Sequence, residues 1–406
     1  MSILNQIIPG IYLSSLINQV SVHRAVSGII SSKVVIRGAI ASPHYRTSPP
    51  RPLHRTSSWK PSYAFSTIEN PTSKMSKPQV LLLGEIDHAH DAWSSLASIA
   101  DVIEPKARSR DEFIKECKSG AFDRVVATYR TFTSVAITGL IDEELIAALP
   151  KGLKFIAHNG AGYDQIDVNA CTKADIRVSN VPTAVDDATA DTNMFLILGA
   201  LRGFNTSLFA LRNGHWKGSP PPPLGHDPQG KVIGILGMGG IGRNLMKKAS
   251  AFGMTTQYHN RTKLSDELSG GAKYVSFDEL LATSDVLSLN LPLNKQTRHI
   301  ISTAEFEKMK KGVVITNTAR GAVMNEDALV KALENGQVWS AGLDVFEEEP
   351  KVHPGLVGNP HVMLLPHMGT WTVETQTKME VWCINNVKSA IEKGKLMSPV
   401  GEQRDM

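Results

Sequence analysis

The chain has 406 residues, 42% hydrophobic and 20% charged, with a formal net charge of +4. That length accommodates two domains of about 100–200 residues each, and no apolar run approaches the roughly 20 residues of a membrane-spanning helix. Residues 1–74 hold 8 of the 43 basic and 1 of the 39 acidic residues, leaving 35 and 38, a net −3, in the rest, which offers nucleic acid no electrostatic footing.

The first segment, 1–76, carries Arg24, Lys33, Arg37, Arg46, Arg51, Arg55 and Lys60 among many serines, and its first acid is Glu69. An acid-poor, Arg- and Ser-rich leader resembles a mitochondrial transit peptide. A disordered extension has the same composition, and so does sequence upstream of a start at Met75, which would leave a cytoplasmic protein. Beyond it, short apolar runs at 80–84, 124–127 and 154–157 predict strands, and 142–149 predicts a helix between them. Strands alternating with helices imply a parallel α/β sheet. This region ends near Asn180-Val181-Pro182. A long helix is expected over 186–202, continuing to 212 with a break at Gly203. The run Gly218-Ser219-Pro220-Pro221-Pro222-Pro223-Leu224-Gly225 permits neither helix nor central strand and reads as a surface loop.

A second α/β region starts at Lys231. Strands are expected over 232–236, 255–258, 286–289, 313–316, 341–343 and 362–365, helices over 243–252 and 325–334, and a last helix over 373–392. Gly253 and Gly336 stand where helix C-caps fall. Cys117, Cys171 and Cys383 are odd in number and far apart. They make neither a disulfide framework nor a metal-ligand pattern, so they read as buried free thiols in a reducing compartment, and no metal is expected.

Gly237-Met238-Gly239-Gly240-Ile241-Gly242 matches G-x-G-x-x-G, follows the strand 232–236 and opens a helix. That context turns a weak motif into a dinucleotide site. The first glycine makes the tight turn, the second lets backbone approach a pyrophosphate, and the third permits close helix–strand packing. A NAD site expects an acid about 20 residues on, bonding the ribose 2′-hydroxyl. Here the next strand ends Tyr258-His259-Asn260-Arg261-Thr262, with none. Arg261 can pair with a 2′-phosphate while Asn260 or Thr262 donates hydrogen bonds, which favours NADP(H). With Arg261 merely solvated, NAD(H) would serve as well.

Four ordered segments now resemble the D-2-hydroxyacid dehydrogenase family: the 237–242 turn, Asn317-Thr318-Ala319-Arg320-Gly321, Gly342-Leu343-Asp344-Val345-Phe346-Glu347-Glu348-Glu349-Pro350, and Pro366-His367-Met368-Gly369-Thr370. Upstream, Asn159-Gly160-Ala161-Gly162-Tyr163-Asp164 is similar to the family's substrate-carboxylate loop. The resemblance spans about 80–395, and the glyoxylate/hydroxypyruvate reductase branch is nearest in layout. It implies two Rossmann-like, doubly wound α/β domains. A nucleotide domain, 184–367, would be inserted into a discontinuous, flavodoxin-like substrate domain made of 77–183 and 368–406. It also implies a homodimer and a small 2-keto or 2-hydroxy acid as partner.

By the same resemblance Arg320, Glu349 and His367 are catalytic. A guanidinium holds a carboxylate in a two-pronged fork and polarises the neighbouring carbonyl. An imidazolium gives the developing alkoxide its proton, and a carboxylate orients the ring and favours its charged form. Glu349 is chosen among three consecutive acids because it precedes proline, which leaves Glu347 and Glu348 as solvated loop acids. Backbone amides of Gly160, Ala161 and Gly162 would receive the substrate carboxylate. Asp344 would bond the nicotinamide carboxamide, Thr318 and Ala319 would line its ring, and Leu291 and Pro292 would wall the adenosine. Trp371, four residues after His367, fits either a pocket wall or the core. The implied reaction is reduction of glyoxylate or hydroxypyruvate to a D-2-hydroxy acid. A dinucleotide-sensing corepressor and a phosphoglycerate dehydrogenase share the fold. Formate dehydrogenase does too, but that branch departs from the His–Glu pairing.

Overall fold

The computed structural model describes residues 77–406; the leader expected over 1–76 lies outside the described residues. Strands β1 (Gln79–Leu83), β2 (Asp101–Ile103), β3 (Val125–Thr131), β4 (Phe155–Asn159) and β5 (Arg177–Ser179) form one parallel sheet in the order β2-β1-β3-β4-β5. A second parallel sheet contains β6 (Val232–Leu236), β7 (Thr255–His259), β8 (Lys273–Tyr274), β9 (Val286–Leu289), β10 (Val313–Asn317), β11 (Val338–Leu343) and β12 (Val362–Leu364), in the order β12-β11-β10-β9-β6-β7-β8. Parallel strands are covered on both faces, which is why β9 and β10 are buried at every position. The first order is flavodoxin-like and the second is that of a dinucleotide-binding sheet. Each reverses direction at one place, beside β1 and β3 in the first and β6 and β9 in the second, and ligands of such sheets bind there, beyond the carboxyl ends of the strands.

The helix Asp186–Arg202 carries the chain from the first sheet to the second. Left-handed Gly203 (φ 59°) ends it and turns the chain into the helix Phe204–Arg212. Its inner face backs onto β11 so closely that a Cβ on Gly342 would meet Leu196 at 2.8 Å. Two buried polar residues, Thr189 and Asn193, interrupt that apolar face. Asn193 is fully buried; its Nδ2 donates to Ser288 Oγ (2.9 Å) and Thr318 Oγ1 (3.0 Å), and its Oδ1 accepts from Thr316 Oγ1 (2.9 Å). One side chain therefore staples the helix to β9, β10 and the turn beyond.

The C-terminal helix Val373–Lys393 returns to the first sheet, where Cys383, Ile384, Val387 and Ala390 pack with Val80, Leu82, Tyr129 and Ala157. On the same helix Glu380 accepts the backbone N–H groups of Asp87, His88 and Ala89 (2.9, 3.0 and 2.7 Å), fixing the loop after β1. Pro399 bridges Ser179 of β5. All three cysteines are buried and free, and burial pushes the Cys117 and Cys171 thiols up to about 12. Among the described residues no single helix is long and apolar enough to cross a membrane.

Strands β2, β5 and β8 went unread in the sequence. They are two or three residues long, too short for a periodic signal, and the sheet imposes their extension. The Asn193 staple carries a stability prediction. Asn193→Leu keeps the branched outline but adds bulk and leaves the Thr316 and Thr318 hydroxyls unpaired, while Ser288 Oγ keeps Asn290 Nδ2 (3.0 Å), so urea unfolding should show a loss of about 3 kcal/mol, the scale of buried polar groups left unpaired.

Candidate active site

At the end of β6 the chain turns at Gly237, whose φ of 98° and closeness to Asn290 O (2.7 Å from an added Cβ) exclude other residues. A Cβ on Gly242 would meet Gly237 O at 2.7 Å, so the third glycine closes the turn. Met238 is buried and its N–H donates to Asn260 Oδ1 (2.7 Å). Gly239 precedes the helix Gly240–Ala251; no side chain caps that helix, and an added Cβ on Gly239 would meet nothing within 4 Å. Uncapped first-turn N–H groups beside open space suit a diphosphate. The residues present thus fit a dinucleotide. Leu291 lies beside the turn, its Cδ2 3.1 Å from an added Gly237 Cβ, and Pro292 is exposed next to it.

At the end of β7, Asn260 is half committed, since its Oδ1 serves Met238 and its carbonyl accepts from the Tyr274 hydroxyl (3.1 Å). Arg261 and Lys263 are exposed, and neither is paired among the described residues. Lys263 is a second cation that the sequence reading passed over.

The turn after β10 is braced by its own asparagine. Asn317 Nδ2 donates to Arg320 O (2.9 Å), and Ala319 N donates to Asn317 Oδ1 (3.0 Å). Thr318 is held by Asn193. Gly321 must be glycine, because the backbone of Phe346 and Glu347 lies where a Cβ would be. The turn and the segment after β11 are therefore locked face to face.

Arg320 reaches across to the other sheet. Its Nε donates to Asp164 Oδ1 (2.7 Å), both side chains being 20% exposed, and its Nη1 donates to Ala319 O (2.8 Å). Its Nη2 rests where a Cβ of Gly162 would stand. Asp164 had been given no part in the sequence reading. The loop after β4 is supported from beneath by buried polar groups. His158 Nε2–H donates to Gly162 O (2.9 Å), and burial depresses that imidazole to about 3, so it stays neutral. Arg130, fully buried and lowered by burial to about 10, donates to Gln165 Oε1 (2.7 Å) and Ser134 Oγ (3.2 Å). Asn180 Nδ2 takes Ala161 O (2.7 Å). The N–H groups of Ala161 and Gly162 find no acceptor among the described residues. Gly160 differs from expectation. Its N–H donates to His158 O (3.0 Å), and its lack of a side chain makes room for His158 Nε2, 2.6 Å from an added Cβ. Its part is steric rather than that of an amide donor.

His367 follows β12 with a φ of 57°, a left-handed conformation held by Asp344. Buried Asp344 accepts His367 N on its carbonyl (2.8 Å) and Met368 N and Gly369 N on its two carboxylate oxygens (2.6 and 2.8 Å); burial raises its carboxyl above the usual range. The His367 ring meets Glu349, with Nδ1 2.8 Å from Oε2. Burial pushes the Glu349 carboxyl up. The bond to His367, the Phe346 N–H on Oε1 (2.9 Å) and nearby Arg320 outweigh this and leave it below its ordinary value. An ionised carboxylate only accepts, so Nδ1 carries the proton and Nε2 is the nitrogen without a partner among the described residues. Phe132, directly after β3, lies beside both side chains: its ring is 5.6 Å from that of His367 and 5.7 Å from Arg320 Cζ. A lone aromatic after a strand gave no sequence signal for this.

Two further corrections concern the acids and the tryptophan. Glu347 is not solvated; its Oε2 meets His299 Nε2 (2.6 Å) and its Oε1 accepts Glu326 N (2.8 Å), anchoring the 344–350 segment. Glu348 is an exposed acid, paired with Lys351. Trp371 is 69% exposed, which excludes the core.

Residues 194–369 match the model of the D-isomer specific 2-hydroxyacid dehydrogenase, NAD binding domain. The chain is 58% identical to 4-methyl-2-oxopentanoate reductase A of Aspergillus oryzae over 329 residues, 81% of this chain and 99% of that protein. Its fold is similar to that of a glyoxylate reductase from Paecilomyes thermophila (TM-score 0.79, 56% identity, 81% of this chain and 100% of the other). It is also similar to an NADPH-dependent glyoxylate/hydroxypyruvate reductase from Sinorhizobium meliloti in complex with NADP and malonate (TM-score 0.71, 28% identity, 80% and 98%). The chain belongs to the D-isomer specific 2-hydroxyacid dehydrogenase family. It is an oxidoreductase that uses a nicotinamide dinucleotide to interconvert 2-keto and 2-hydroxy acids.

The seat of Arg320 can be probed at one atom. Gly162→Ala puts a methyl group where Nη2 lies. Steady-state kinetics should show kcat/KM for keto acids down about 100-fold, the cost of misplacing a reacting group by about 1 Å, with dinucleotide Kd unchanged.

Proposed function

We propose that this protein reduces a small 2-keto acid with NADPH, glyoxylate to the achiral glycolate or hydroxypyruvate to the D-2-hydroxy acid, His367 giving the proton. The observation that carries this reading is the 2.8 Å contact of His367 Nδ1 with Glu349 Oε2 on the same aromatic ring as Arg320. Residues 77–183 and 368–406 act as the substrate domain and 184–367 as the nucleotide domain. The N–H groups of Ala161 and Gly162 take the substrate carboxylate, and the Arg320 fork orients it and polarises the keto oxygen. The reduced nicotinamide, when bound, supplies hydride to the keto carbon. As that carbon becomes tetrahedral, its oxygen takes the proton from His367 Nε2, and the Glu349 carboxylate stabilises the imidazolium beforehand. Asp344 holds the His367 turn and faces the carboxamide, and Thr318 and Ala319 line the ring.

The preference for NADPH rests on Arg261, with Lys263 beside it, at a strand end that lacks an acid. The substrate choice draws on the relatives named for glyoxylate; the relative named for 4-methyl-2-oxopentanoate keeps a branched chain in the panel. The assay is oxidation of NADPH and NADH with glyoxylate, hydroxypyruvate, pyruvate, 4-methyl-2-oxopentanoate and phenylglyoxylate. Glyoxylate and hydroxypyruvate should give the highest kcat/KM, above pyruvate and the branched and aromatic keto acids, and NADPH should exceed NADH. His367→Gln should lose about 10²–10⁴ in kcat, and Arg261→Asp should reduce the NADPH/NADH ratio at least tenfold. No turnover of any keto acid would refute the activity, and an unchanged ratio would refute the Arg261 assignment alone.

A homodimer is proposed on a separate observation. Phe204, Leu208, Phe209, Leu211, Trp216 and Leu224, in and after the helix Phe204–Arg212, are exposed by 42–93%, an apolar patch of the kind that marks an interface. A second copy of this chain is the occupant proposed. Light scattering should report twice the chain mass, and Phe209→Asp should yield monomer.

A further inference from the structure

Asp186 opens the helix that enters the second sheet, and its carboxylate lies against Gly240, the residue that opens the helix of the dinucleotide turn. A Cβ on Gly240 would stand where Asp186 Oδ2 already is, and would meet Oδ1 at 2.7 Å. Glycine at 240 is thus required by the acid as well as by the turn. The Asp186 side chain is half-buried, and among the described residues it receives no hydrogen bond and forms no ion pair. The charges around it are few. Arg243, on the glycine-turn helix, favours its ionised form, and Asp187, next to it, opposes it. Lys248 of the glycine-turn helix is engaged elsewhere, with Asp191 (3.0 Å) and Asp187 (3.6 Å). Burial decides the balance and pushes the Asp186 carboxyl up to about 6.

An anion already stands, then, at the helix end meant for another anion. The uncapped N–H groups after Gly239 favour a diphosphate through their partial positive charge, and a neighbouring ionised carboxylate opposes it. We propose that Asp186 takes up a proton as the dinucleotide binds, so that its diphosphate meets a neutral carboxyl and affinity for the cofactor falls as pH rises. The inference rests on reading 237–242 as the diphosphate seat. The direction follows from linkage. A group that is protonated in the complex and ionised in the free protein makes binding consume a proton, and Kd then climbs up to tenfold per pH unit above its free value. The same raised value bears on the free protein. The carboxyl is tolerated below the ordinary aspartate range, and stability is lost as pH rises through about 6.

ADP-ribose is the probe, since it carries the diphosphate and neither nicotinamide nor a 2′-phosphate that titrates near neutrality. Titration calorimetry between pH 5.5 and 8.5, in buffers of different ionisation enthalpy, reads Kd and proton uptake together. For the unaltered protein the expected result is uptake approaching one proton per site and Kd rising more than tenfold across the range. Asp186→Asn is nearly isosteric; it should bind at least tenfold tighter at pH 8, with a flat profile and no uptake. Its Tm without ligand, relative to the parent's, should rise from pH 4 through pH 6 and level off by pH 8. Asp187→Asn, at an exposed carboxylate, should keep the proton uptake, with the profile moved to slightly lower pH because a like charge is removed. Parallel profiles for the parent and Asp186→Asn would overturn the proposal, as would weaker binding by Asp186→Asn at every pH, which would make the carboxylate a direct ligand. If ADP-ribose bound neither protein at any pH, the diphosphate seat itself would fall.

Discussion

Arg320 and Asp164 meet at 2.7 Å, and through that contact the two sheets face each other with their strand ends converging. The arginine comes from the turn after β10 and the aspartate from the loop after β4, so neither sheet contains the site alone. A partly buried, charge-assisted hydrogen bond of this kind has geometric as well as energetic consequences. With Nε held by Asp164 and Nη1 by Ala319 O, the guanidinium plane is set before any substrate arrives. Gly162 gives Nη2 its place, so a glycine in one loop and an arginine in another are a single constraint.

The same preparation is visible on the histidine side. Asp344 binds three successive backbone N–H groups, from His367 to Gly369, and holds the chain in a left-handed turn that a non-glycine residue adopts only at a cost. Glu349 in turn sits on a segment pinned by Glu347 to His299 and Glu326, and pressed against Gly321. Rigid supports of this sort hold an imidazole and a guanidinium at fixed separation, because reorganisation has been done during folding. The buried layer below the loop after β4 serves the same end, with a neutral His158 donating to Gly162 O and Arg130 donating to Gln165 and Ser134.

Reading errors in the sequence followed a pattern. Glu347 and Glu348 are chemically identical neighbours, yet one is an anchor and the other an exposed acid; the positions of His299, 48 residues away, and of the Glu326 N–H separate them. Gly160 was grouped with Ala161 and Gly162 by resemblance to the family's carboxylate loop, whereas its N–H donates to His158 O. Asn193 did leave a trace, as the one amide on a largely apolar helix face, but its three partners come from residues 95 to 125 positions away. Such assignments depend on contacts that local composition does not encode.

What the amino-acid order settled by itself was everything carried by local backbone chemistry or short-range periodicity. The long strands and helices, the break at Gly203 and the G-x-G-x-x-G turn follow from the spacing of apolar residues and from positions where a side chain has no room. Arg320, Glu349 and His367 were expected from the resemblance of the segments that carry them to a known family, and what local order shows of them is that Arg320 and His367 each follow a strand. Only the tertiary structure decided how those strand ends meet. It set which oxygen of Glu349 faces the imidazole, which atom of Arg320 Asp164 occupies, and that Phe132 lies beside both. It also placed an unpaired carboxylate, Asp186, against the glycine turn. Distances between groups far apart in the chain arise from the packing of whole sheets and helices, and no local pattern contains them.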